Sequence, residues 1–148
     1  MAIQRRLSVD DGNLEASSVF ATRVKPYSDI DLAFANRPSG EIFKKKDAAA
    51  VKQAVSNLLQ TNYYEKPFQP FFGGNLRYYL FELADESTGY EVYERVIQAI
   101  ETYEPRAEIM QVTVNADPDR NLLDVMVKFK VVNTGEEVTV TTQIARLR

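Results

Sequence analysis

The chain contains no cysteine and no histidine. Without thiols it has no disulfides, no thiolate nucleophile and no sulfur-held metal; without imidazole, every catalytic arrangement that relays a proton through histidine is excluded. Long apolar runs are also missing, the longest being a few residues against the roughly 20 needed to cross a bilayer. Nor does Met1–Asp10 read as a secretion leader, because no apolar stretch follows Arg5 and Arg6. An excess of one charge is lacking too: 18 basic and 21 acidic side chains leave a net charge of −3. Bulk electrostatics therefore point to neither nucleic acid nor membrane as a partner. Absent cysteine fits assembly in a reducing cytosol.

What is present fits one soluble domain, since 148 residues leave room for a single hydrophobic core. Residues 1–26 show no period and read as an N-terminal arm, extended or ordered by a partner; residues 27–148 read as the folded domain. In Tyr27–Phe34 polar and apolar residues alternate, which puts Ile30, Leu32 and Phe34 on one face of a short extended segment. Pro38-Ser39-Gly40 breaks it. The spacing of Ala48, Val51, Val55, Leu58 and Leu59 predicts a helix over 47–62 with Asp47 as N-cap. Between Tyr63 and Asn75, two prolines and two glycines forbid regular structure while several aromatics ask for burial. Pro67, Phe68, Pro70, Phe72 and Gly73 are expected to form a structural loop locking one helix to the next. Leu76, Tyr79, Leu80 and Leu83 predict a short second helix. Tyr93, Val96, Ile97 and Ile100 predict a third, over about 90–103, stopped by Pro105.

The last third changes to a two-residue period. Met110, Val112 and Val114 form one alternating set, Leu123, Val125, Val127, Phe129 and Val131 a second, and Val138, Val140, Thr142 and Ile144 a third. Asp117–Asn121 and Asn133–Glu136 sit where hairpin turns belong. The expected fold is α+β, with three helices packed on a C-terminal three-stranded antiparallel meander and an extended N-terminal arm. Thr139, Thr141 and Gln143 are expected to face solvent.

Signals for chemistry are sparse. No phosphate-binding loop, dinucleotide fingerprint or serine–histidine constellation appears, and Gly73-Gly74 is too short to cradle phosphate. The remaining catalytic option is a carboxylate pair between Glu82 and Glu104, as in glycoside hydrolysis. Lys44-Lys45-Lys46 reads as a solvated loop before it reads as a phosphate patch. Glu104-Pro105-Arg106 is read first as a helix terminator, with Arg106 favourable beside the negative end of the helix dipole.

The order of these pieces resembles the baseplate wedge family of contractile-tail phages, which is similar also to a baseplate subunit of type VI secretion systems. The resemblance rests on Tyr27-Ser-Asp-Ile-Asp-Leu-Ala-Phe34, Lys46-Asp47, Ala50–Val55 with Asn57–Asn62, Tyr64–Pro70, Phe72–Leu76 and Tyr103–Arg106, in the family's order. Phe71 stands where relatives often carry an acid, and Lys66 where arginine is common. The resemblance implies a non-catalytic adaptor without cofactor or metal, present in repeated copies in a sixfold virion baseplate that assembles in the host cytoplasm. It implies that Glu104, Pro105 and Arg106 dock on the helical core bundle of two larger baseplate wedge proteins. It also implies that Val138, Thr139, Val140, Thr141, Thr142, Gln143 and Ile144 take an added strand from the sheath protein. Tail tube or hub proteins are further candidate partners. Two alternatives stand beside it: a peptidoglycan-cleaving lysozyme-like hydrolase using paired carboxylates, and a binding domain whose ligand pocket is lined by Phe68 and Phe72.

Overall fold

Val51, Val55, Leu58 and Leu59 are buried along one side of helix α1, Asp47–Gln60, as their three-and-four spacing requires. They pack against a second buried stripe, Val92, Val96, Ala99 and Ile100, on helix α2, Glu86–Tyr103. Tyr93 and Ile97, expected inside, are only half-buried, and Val92 and Ala99 take the inner places. In this computed structural model residues 26–35, 40–82, 86–117 and 122–145 are described. The arm expected over 1–26 therefore lies, but for Pro26, outside the described residues, as do Leu83 and most of the 117–121 turn.

Two short strands, β1 (Ser28–Ile30) and β2 (Lys44–Lys46), pair antiparallel ahead of α1. The C-terminal third forms β3 (Ala107–Asp117), β4 (Leu122–Val131) and β5 (Glu137–Ala145), an antiparallel sheet in the order β3-β4-β5. Along β4, Leu123, Val125, Val127, Phe129 and Val131 are all buried against the helices while their neighbours point away, the period-two alternation of a half-buried sheet.

Three expectations are corrected. The fold has two α-helices among the described residues, not three, and two sheets. Where a helix was expected over 76–83 there is a four-residue 3-10 helix, Tyr78–Phe81. The amides of Tyr78, Tyr79, Leu80 and Glu82 each donate to the carbonyl three residues back, and Glu82 is extended. Leu76 is buried and Tyr79 and Leu80 are half-buried against the core, while Tyr78 and Phe81 are exposed; a single turn this short is too costly to nucleate as an α-helix by itself. Second, the three lysines are a paired strand, because backbone bonding to 28–30 defines β2 whatever its side chains prefer. Third, Asp47 does not cap its own helix. The cap residue is Lys46, and Asp47 instead clasps Tyr27: its amide donates to the Tyr27 carbonyl at 2.8 Å, and its Oδ1 accepts from the Tyr27 amide at 3.1 Å.

A β-bulge also shifts one register. The pairing of β3 with β4 slips between Ile109 and Gln111, which turns Met110 outward, half exposed. Ile109, Val112 and Val114 keep to the core side, consistent with the two-against-one geometry of a bulge.

Candidate functional site

Glu104 is the buried carboxylate at the end of α2, closing the helix by donating its amide to the Ile100 carbonyl at 2.8 Å. Pro105 fixes the first corner of the turn that follows, which closes when the Ala107 amide donates to the Glu104 carbonyl at 3.0 Å. The guanidinium of Arg106 folds back onto Glu104 in a two-point pair: Nε donates to Oε1, and Nη2 donates to Oε2 at 2.7 Å. The same guanidinium lies 5.4 Å from the centre of the Tyr27 ring, within cation–π range. Hydrogen bonding to Glu104 raises the Arg106 pKa above its ordinary value, so its charge is fixed. The bidentate donor expected to reach a partner is thus already directed inward on one edge. Its Nη1 side is not used by the Glu104 pair. Tyr27 was not foreseen as a member of this cluster, and its sequence distance from Arg106 leaves no local signal for it.

The β5 strand carries the second candidate surface. The Val131 amide donates to the Glu136 carbonyl at 2.9 Å, and the Gly135 amide donates to the Val131 carbonyl at 2.7 Å. Those bonds set the phase of the ladder. Bonded pairs alternate along antiparallel strands, so Val138, Val140, Thr142 and Ile144 face β4 with their backbone groups, opposite Phe129, Val127, Val125 and Leu123. Thr139, Thr141 and Gln143 turn their N–H and C=O groups outward, and their side chains are exposed. The sheet order gives this outer edge no strand partner among the described residues. Beneath it Val140, Thr142 and Ile144 are buried and Val138 is half-buried, which holds the strand firmly to the core. The opposite edge, along β3, is also open, but the bulge at Met110 interrupts its regular row, a common device for blunting an edge. No proline interrupts β5.

The loop over 63–75 divides by role. Phe72 packs on the core and meets the Tyr103 ring edge-on at 5.0 Å, with Lys66 Nζ 3.8 Å from its centre. Gly73 is buried with φ +117, and a Cβ there would stand 2.3 Å from the Thr61 carbonyl oxygen. Only glycine fits. The Tyr64 amide donates to the Pro70 carbonyl at 2.7 Å, across the exposed Pro67 and Pro70. Phe68, at the tip, is fully exposed and holds φ +65, so it lines no enclosed ligand pocket. Ile30, Leu32 and Phe34 are likewise exposed, while Gln53 brackets their backbone by donating to the Ile30 carbonyl and accepting from the Leu32 amide.

Three of the carboxylates in the span from Glu82 to Glu104 are engaged by neighbours: Tyr78 donates to Glu82, Tyr90 to Glu94, and Arg106 to Glu104. Among the described residues, the carboxyl groups displaced from their ordinary values are displaced downward. The Ala33 amide holds Asp31 low, Asn62 holds Glu65 low and Lys128 holds Glu137 low. A glycosidic acid needs the opposite displacement. Among the described residues no group of three acids could hold a metal ion, and no helix is long and apolar enough to cross a membrane.

The family described as baseplate wedge protein gp25 matches residues 45–136, more than half of the chain. The baseplate wedge protein gp25 of Enterobacteria phage T4 is 27% identical over 114 residues, covering 77% of this chain and 86% of the relative. Among solved structures, a Geobacter sulfurreducens protein provisionally named a tail lysozyme aligns with TM-score 0.59 and 19% identity, over 66% of this chain and 89% of that one. A chain of the anti-feeding prophage baseplate, solved with sixfold symmetry, aligns with TM-score 0.58 and 17% identity, over 81% and 86%. At such identities the structural likenesses speak to fold alone.

Proposed function

The chain belongs to the baseplate wedge protein gp25 family, and from that premise we propose that it joins the larger wedge proteins through Glu104-Pro105-Arg106 and starts the sheath at the outer edge of β5. As a family member it is a structural component of a contractile-tail baseplate, found in the virion. It works by binding and not by catalysis. Repeated copies arranged with sixfold symmetry fit the same role.

The observation that carries the sheath half of the reading is the open row of backbone groups at Thr139, Thr141 and Gln143. An unpaired, proline-free edge braced by a buried inner face accepts an extended segment at little conformational cost to itself, and supplies hydrogen bonds without regard to the partner's side chains. An arm of the first sheath ring is the proposed added strand. In the wedge half, Glu104 and Tyr27 hold Arg106 in one orientation, so that its unused edge meets a carboxylate or carbonyl acceptor of the core bundle without loss of rotamer freedom on docking. Tail tube and hub proteins are further proposed neighbours in the same assembly.

Thr141→Pro tests this reading. It removes one outward N–H and places a ring on the edge, while the β4-facing bonds of Val140 and Thr142 are untouched. Baseplates carrying Thr141→Pro are expected to form but to nucleate no sheath, as seen by electron microscopy of assembled tails. Full-length sheath on such baseplates refutes strand addition at β5.

A further inference from the structure

At the end of the β5 edge the surface opens into a polar cleft of about 440 Å³, lined by Leu59, Gln60, Asn62, Glu65, Arg77 and residues 143–145. Arg77 and Glu65 are its charged groups, and they are not equally committed. Both oxygens of Glu65 are held by Asn62, one by the backbone amide and one by the side-chain amide, each at 2.8 Å. Arg77 is exposed, and its guanidinium has no hydrogen bond or ion pair with a described residue. Among the described residues its effect is on Glu65, whose carboxyl it helps to hold low. A cation with five N–H donors therefore stands in a cleft whose acid is already satisfied, directly beside the edge at which a strand is proposed to add.

The ladder geometry says what passes that cleft. An added strand bonds with Gln143, whose N–H and C=O face outward, and its side chains alternate in step with those of β5. The residue across from Gln143 points with it to the outer face. The residue across from Ile144 points with Ile144 toward α1, into the cleft beside Leu59 and Gln60.

Building on the strand-addition reading above, we propose that the sheath arm carries a carboxylate at the position facing this cleft, and that Arg77 receives it. The planar fork of arginine suits a carboxylate in two-point contact. The backbone ladder supplies attachment irrespective of sequence, and the Arg77 contact then fixes the register, because a slip of one residue would turn the acid to the opposite face.

The experiment measures binding of the purified sheath protein of the same particle to assembled baseplates carrying the intact chain, at low and high salt. Arg77→Glu is expected to weaken binding at least tenfold and Arg77→Gln about threefold, with circular dichroism and thermal melts close to wild type because the side chain is exposed. The wild-type advantage shrinks at high salt. Replacing the acid of the sheath arm by lysine restores binding to Arg77→Glu and weakens it to wild type. Thr141→Pro is the parallel control. If it abolishes binding while Arg77→Glu and Arg77→Gln change nothing, the carboxylate contact is wrong and strand addition stands. If Thr141→Pro also binds normally, strand addition itself is wrong, and this inference falls with it.

Discussion

Arg106 and Glu104, separated in sequence only by Pro105, face each other through two parallel hydrogen bonds at the exit of α2. The pair makes the turn rigid and ties the cation proposed to dock to a buried acid, so on that proposal binding and stability are coupled. Arg106→Ala leaves Glu104 buried without its partner and is expected to destabilise the folded chain by about 2 kcal/mol. The Glu104→Ala/Arg106→Ala double variant loses less than the sum of the two single changes. Chemical denaturation of the four proteins measures this coupling. Arg106→Ala is expected to remain folded in isolation yet fail to enter wedges, a combination that would separate docking from folding.

Of the four residues of the 63–75 loop with positive φ, Gly73 and Phe68 hold it in opposite surroundings. Gly73→Ala would press its methyl against the Thr61 carbonyl at a φ of +117, and a loss of about 3 kcal/mol or more is expected. Phe68 holds φ +65 in full exposure. Phe68→Gly removes that strain while sacrificing no packing, and is expected to raise stability by about 0.5–1 kcal/mol. Thermal melts of both variants decide the point.

The sequence disclosed most where one periodicity governs many residues. Val51, Val55, Leu58 and Leu59 announced α1, and the alternation from Leu123 to Val131 announced a strand buried on one side. It misled where structure depends on distant pairing. Lys44-Lys45-Lys46 has no strand pattern of its own, and only the partner at 28–30 makes it β2. Leu76, Tyr79 and Leu80 carried apolar residues at helical spacing and do turn to the core, Leu76 buried and the other two half-buried, yet the segment closes only as a 3-10 turn. Met110 looked equivalent to Val112 until a bulge inverted it. Of the candidate site, Glu104-Pro105-Arg106 and the outward set of β5 were legible. The Arg106–Glu104 closure, the Tyr27 contact and the Arg77 cleft were not, since each joins residues by orientation or across many positions of chain.

Stability should fall in acid partly through Glu65. Hydrogen bonds from Asn62, with a smaller contribution from Arg77, hold its folded pKa below the ordinary value of 4.5. As pH falls, the unfolded chain takes up this proton first, so the stabilisation is complete above about pH 5 and is lost as pH drops through the folded value. Glu65→Ala is therefore expected to melt below wild type at neutral pH, with the gap closing as the pH falls below the ordinary carboxylate value and through the lower folded one. An unchanged gap across that range would place the contribution of Glu65 outside its charge.

Amide hydrogen exchange, resolved to single residues, is the most direct test of an open β5 rim. In the isolated chain, the N–H groups of Thr139, Thr141 and Gln143 should exchange orders of magnitude faster than those of Val140 and Thr142, which bond to β4. Once a sheath ring has assembled on the baseplate, the three outward amides should become as slow as their neighbours. Equal protection of both sets in the isolated chain, or no slowing of the outward set under the sheath, would contradict the account.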